Sequence, residues 1–90
     1  MEEMEKEELV KKCVEMLEKV IRDTTVPRNI KKSASEVTNK LLNGDGSLAV
    51  RAATAVSELE ELTNKQNIPS HTRTQVWNIM SQLETVSVEE

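Results

Sequence analysis

Aromatic side chains are nearly missing from this chain, which has one tryptophan, Trp77, and neither tyrosine nor phenylalanine. A core without rings has to be built from Leu, Val, Ile, Met and Ala, side chains that suit helices packed closely on one another. Glycine and proline are scarce too, two of each in 90 residues, too few for the turns of an all-β fold. One cysteine, Cys13, closes no intramolecular disulfide. One histidine, His71, supplies neither a two-histidine metal motif nor a triad beside a second histidine. No apolar run reaches the ~18 residues of a membrane span, and the acidic opening MEEMEKEEL has the wrong sign for a signal peptide, so cytoplasmic residence is expected. The net charge of −4 argues against a surface that holds nucleic acid by bulk electrostatics.

What is present is amphipathic helical pattern. The most ordered stretch is Ser47 to Thr63, where Leu48, Ala52, Ala55, Val56, Leu59 and Leu62 recur at three- and four-residue steps. Its small residues, Ala49, Ala52, Ala53 and Ala55, permit close approach by neighbours, which makes it the predicted central helix. Ser47 is placed as its N-cap after the turn Gly44-Asp45-Gly46. Upstream, Glu3 to Arg22 carries Leu9, Val10, Cys13, Val14, Leu17, Val20 and Ile21 on one stripe. Its other face holds the pairs Glu7/Lys11, Glu8/Lys12, Glu15/Lys19 and Glu18/Arg22, each in the orientation that adds ~0.2–0.5 kcal/mol to a helix. Pro27 starts a second helix to about Leu42, with Ile30, Ala34, Val37 and Leu41 apolar; Asn43-Gly44 is its expected stop, glycine supplying the left-handed residue. A fourth helix from about Pro69 to Val86 is expected to bury Val76, Ile79, Met80 and Leu83, with Ser87 to Glu90 fraying.

Shifting the chain by 42 residues lays Cys13 on Ala55, Leu17 on Leu59, Val26-Pro27 on Ile68-Pro69, Val37 on Ile79 and Leu41 on Leu83. Amphipathic stripes align easily, so the informative match is the aliphatic-Pro junction at equal spacing. The stretch from Val50 to Leu59 also resembles the second helix of a HEAT repeat, but two hairpins are too few for a solenoid. The expected fold is therefore all-α, an antiparallel four-helix bundle of the up-and-down type built from two helical hairpins, in one domain over residues 1–90. Its helices are predicted at about 3–22, 27–42, 47–63 and 69–86.

Cys13 lies on an apolar stripe with no cation to favour a thiolate, so it reads as core. No paired acids, phosphate loop or ligand cluster is visible, and no catalytic residue, cofactor or metal is expected. The run Ser70-His71-Thr72-Arg73-Thr74 puts two cationic side-chain types in the first turn of the fourth helix, where they oppose the helix dipole. Either an internal carboxylate, such as one on the central helix, or an acidic partner or anion would answer them. Arg28, Arg51 and Arg73 stand near successive helix starts, and surface solubility is the simplest role for all three. In an up-and-down bundle Arg28 and Arg73 share one end and Arg51 takes the other. Trp77 sits beside the apolar stripe, either closing the core edge or anchoring a partner.

VPRNI at residues 26–30, LAVR at 48–51 and HTR-x-x-WN at 71–78 together make the chain resemble a family of uncharacterised archaeal proteins about ninety residues long. That resemblance covers nearly the whole chain and implies a compact four-helix bundle with no established activity. The function expected is a non-catalytic protein-interaction or scaffold module, compatible with self-association, offering Arg28, Lys31, Lys32, Arg51, His71, Arg73 and Trp77 to an unidentified protein partner. The alternative is an RNA- or ribosome-associated accessory protein using the basic face of the second helix, Arg28, Lys31 and Lys32.

Overall fold

Four helices account for the secondary structure of residues 2–88, the part of the chain that the computed structural model describes: α1 (Glu3–Arg22), α2 (Arg28–Asn43), α3 (Leu48–Thr63) and α4 (Ser70–Val86). No strand occurs among the described residues. α1 packs on α2 and α4, and α3 packs on the same two; α1 and α3 meet lightly across a diagonal, whereas α2 and α4 do not touch. The result is an all-α globule of 37 × 20 × 20 Å.

The apolar stripes meet in one core. Val10, Cys13, Leu17 and Val20 of α1, Ile30, Ala34, Val37 and Leu41 of α2, Ala52, Ala55, Leu59 and Leu62 of α3, and Val76, Ile79, Met80, Leu83 and Val86 of α4 are all buried. Of the four alanines expected to admit neighbouring helices, Ala49, Ala52 and Ala55 are buried and Ala53 is exposed, and α3 is no more central than α1, each packing on α2 and α4. On the opposite face of α1, none of the four Glu-to-cation pairs closes into an ion pair among the described residues; the only two such contacts are Lys40–Glu58 and His71–Asp23. Exposed charges of this kind stay solvated.

Both prolines stand one residue before their helices. Pro27 and Pro69 are the extended N-cap residues of α2 and α4, and their carbonyls accept from Lys31 N–H at 3.1 Å and Arg73 N–H at 2.9 Å. Val26 and Ile68, immediately upstream, turn into the core. Ser47 caps α3, its hydroxyl accepting from Val50 N–H at 3.2 Å. The stop of α2 differs from the expectation. Gly44 has φ −72 and is extended, and the left-handed glycine is Gly46, at φ 94. Glycine is required at position 44 for space: its N–H bonds Lys40 O at 2.9 Å, and a Cβ there would collide with that carbonyl oxygen. The expected fraying from Ser87 falls partly on Glu89 and Glu90, which lie outside the described residues. Ser87 itself still bonds Leu83 O at 2.9 Å, and Lys6 Nζ donates to Val88 O at 3.2 Å.

The 42-residue offset reappears in contacts between helices. Asn29 and Asn67 exchange side-chain hydrogen bonds, Nδ2 to Oδ1, at 3.2 and 2.6 Å. Moved by the offset, Asn29 becomes His71 and Asn67 becomes Thr25, and these two also meet, at 3.2 Å. Lys40 pairs with Glu58; the same shift yields Gln82 and Met16, with Gln82 Nε2 3.6 Å from the Met16 sulfur. Two unrelated chemistries thus occupy each of two equivalent places, as expected when a repeated hairpin keeps its packing while its surface residues diverge.

Candidate interaction surface

His71 and Arg73 belong to one turn of α4, but two residues separate them by roughly 200° around the helix, so they leave on opposite flanks. His71 goes toward α1. Its Nε2 lies 3.1 Å from Asp23 Oδ2 and 3.2 Å from Thr25 Oγ1. Thr25 gives its hydroxyl proton to Asp23 Oδ1 at 2.6 Å, so toward the imidazole it can only accept, and Nε2 carries the proton. Thr25 N–H also donates to Asp23 Oδ1, at 2.9 Å, closing an Asx turn at the end of α1. The two Thr25 hydrogen bonds, followed by that of His71, hold the Asp23 carboxyl down at about 2. An internal carboxylate therefore answers His71, and it stands at the end of α1, not on the central helix as one reading of the sequence suggested.

Arg51 is also occupied within the chain. Its guanidinium donates to Leu41 O at 2.9 Å and to Leu42 O at 3.5 Å, satisfying carbonyls in the last turn of α2 that the helix leaves open. That places Arg51 at the end of the molecule opposite Asn29 and the start of α2. Arg28 and Lys32 are exposed on α2 and Lys31 is half-buried. The three fall within an arc of roughly 100° and form one basic face. This face and Trp77 stand on helices whose backbones do not pack on one another.

Arg73 and Trp77 do come together. Four residues apart, they lie about 40° from each other on the α3 side of α4. Trp77 is 55% exposed and is not among the side chains packed against the core cluster. Arg73 is half-buried; its Nε has no hydrogen-bond partner and its guanidinium makes no ion pair among the described residues. Thr72, between the two flanks in a run of hydrophilic residues, turns fully into the core, its hydroxyl unpartnered.

Cys13 is buried, with Sγ 4.0 Å from Ile79 O, and burial pushes its thiol up to about 11. It supplies no thiolate near neutral pH. No group of three or more His, Cys, Asp or Glu residues is arranged to hold a metal ion among the described residues. No helix there is long and apolar enough to cross a membrane.

The family model described as an uncharacterised protein family, UPF0147, matches residues 1–86. The chain belongs to this family. UPF0147 relatives include a protein of Methanosarcina mazei, 45% identical over 83 residues and covering 92% of this chain and 89% of the relative. Another, from Sulfurisphaera tokodaii, is 46% identical over 77 residues, covering 86% of each. Among solved structures, a crystal structure of a protein of unknown function superposes with a TM-score of 0.83 at 44% identity, over 91% of each chain. A UPF0147 structure from Thermoplasma acidophilum gives 0.82 at 37% identity, over 90% of this chain and 95% of that one. These relatives come from archaea, and none of their descriptions names an activity.

Proposed function

We propose that the protein is a non-catalytic, cytoplasmic protein-interaction module: an antiparallel up-and-down four-helix bundle that presents Trp77 and Arg73 from the outer face of α4. The observation that carries this reading is the exposure of the only aromatic side chain beside a cation that has no ion-pair partner among the described residues. Trp and Arg are among the side chains that most often dominate interface energetics. The bundle arrangement is supported by contacts at helix ends, where Lys6 meets Val88, Asp23 meets His71 and Arg51 meets the end of α2. His71 and Arg51 drop out of the interaction set because both are engaged internally.

Affinity capture from an archaeal lysate tests it, using the unaltered chain and Trp77→Ala as baits, with and without ribonuclease. The expected result is a defined protein set that survives ribonuclease and is lost with Trp77→Ala. Retention of the same set by the variant sinks the assignment of this face. The basic face of α2 gives the RNA reading its only support, and it lies on a different helix from Trp77, the only Trp, Tyr or Phe.

A further inference from the structure

The exposed flank of α4 carries Ser70, Thr74, Trp77, Ser81 and Glu84 at steps of four, three, four and three, all outside the core. This spacing keeps the five residues on one line along the helix, and the core of this molecule does not use that line. Charge is distributed along it with opposite signs at the two ends. Arg73, unpaired, borders one end; Glu84, exposed and without an ion-pair partner among the described residues, occupies the other. The two are eleven residues apart, roughly 16 Å along the helix. Between them the flank is uncharged, with Trp77 and the small Ser81 four residues apart.

We infer that this flank docks a second copy of the same chain, with the two α4 helices antiparallel about a two-fold axis near residue 79. This rests on the reading of the Trp77 face as a docking surface and names its occupant. A two-fold interface must be self-complementary, and the flank meets that requirement in both respects. In antiparallel register Trp77 lies over Ser81 of the partner subunit, a large side chain over a small one, and the reciprocal contact repeats it. Arg73 falls within a turn of Glu84 of the partner subunit, again twice. A parallel arrangement would bring arginine to arginine and glutamate to glutamate, so the charges select one orientation.

Sedimentation equilibrium over a concentration series tests this, read against the monomer mass of 10.2 kDa. The unaltered chain is expected to approach twice that mass. Trp77→Ala is expected to weaken association by about thirtyfold or more, the loss typical of an interface hot spot. Arg73→Glu and Glu84→Arg each place like charges at both contacts and are expected to be monomeric, but an equimolar mixture of those two variants restores opposite charges at both contacts and is expected to dimerise. Glu84 is fully on the surface, so its variant keeps its fold, and circular dichroism checks the helicity of all three. A monomer at every concentration, or a mixture no more associated than its components, overturns the homodimer. The broader reading fails separately: if Trp77→Ala loses its lysate partners while the unaltered chain sediments as a monomer, the face binds another protein and only the self-association is wrong.

Discussion

Thr72 has a fully buried hydroxyl that finds no partner in the core of α4. A buried polar atom without a hydrogen bond costs about 1–3 kcal/mol, whereas an apolar group of the same shape in that place costs nothing of the kind. Thr72→Val is therefore expected to stabilise the fold by about 1 kcal/mol, which for a chain of this size raises the melting temperature by ~4–8 °C. Thr74→Val, two residues on and exposed, serves as the control and is expected to leave it nearly unchanged. A Thr72→Val protein that melts lower than the unaltered chain shows that the hydroxyl has a partner after all. Composition hides Thr72's position, because it falls within a run of hydrophilic residues; helical phase, counted back from Val76 and Ile79, is the sign in the sequence that puts it on the buried side. Arg51 was hidden for a related reason. Its carbonyl acceptors lie ten residues earlier, across a turn whose course has to be known before the two can be connected.

At the scale of elements, the apolar stripes were the legible part, because period is a property of each segment alone and survives any choice of neighbours. Helix ends were harder. Gly44 and Gly46 are indistinguishable as letters, and which of them turns left-handed depended on how the chain between α2 and α3 makes room for Lys40 and Arg51. The pairing of Asp23 with His71, 48 residues apart, needs the end of α1 brought beside the start of α4, information no local window contains. The contacts of Asp23, led by the two hydrogen bonds from Thr25 and followed by that from His71, also have a checkable consequence in acid. Asp23 is held at about 2 in the folded chain against an ordinary 3.8, so the folded form favours the carboxylate. A depressed carboxyl contributes stability that is present in full above its unfolded value and is lost as pH falls from about 4 toward about 2. Asp23→Asn is expected to be less stable than the unaltered chain at neutral pH, with the gap closing across that window. Denaturant titrations at a series of pH values measure it, and a gap that stays constant with pH would assign the loss to the altered turn and not to the carboxylate.

In the bundle proposed above, the molecule is two hairpins of similar apolar pattern placed against each other. Each pairs a longer or central helix with the helix entered through an aliphatic-Pro junction, and four of the contacts between hairpins form two couples related by the same 42-residue shift, Asn29–Asn67 with His71–Thr25 and Lys40–Glu58 with Gln82–Met16, whereas Asp23–His71 and Arg51–Leu41 have no such counterpart. In such an arrangement neither hairpin has a privileged position in the chain order. The two ends of the described chain also lie together, since Lys6 donates to Val88 O at 3.2 Å. A circular permutant should then fold: the chain opened between Asp45 and Gly46, with a short glycine-serine linker joining the old ends, so that α3 and α4 precede α1 and α2. Opening there breaks no helix, leaves Arg51 able to reach the carbonyls of Leu41 and Leu42, and removes only an exposed turn. Joining α2 to α3 only by packing costs the entropy of the lost connection, on the order of 1–2 kcal/mol, while the new linker returns a comparable amount. Far-ultraviolet circular dichroism is expected to report the helicity of the unaltered chain, with a cooperative melt within roughly 10 °C of it. An unfolded or non-cooperative permutant would mean that the α2–α3 turn, and not the packing of like hairpins, holds the two halves together.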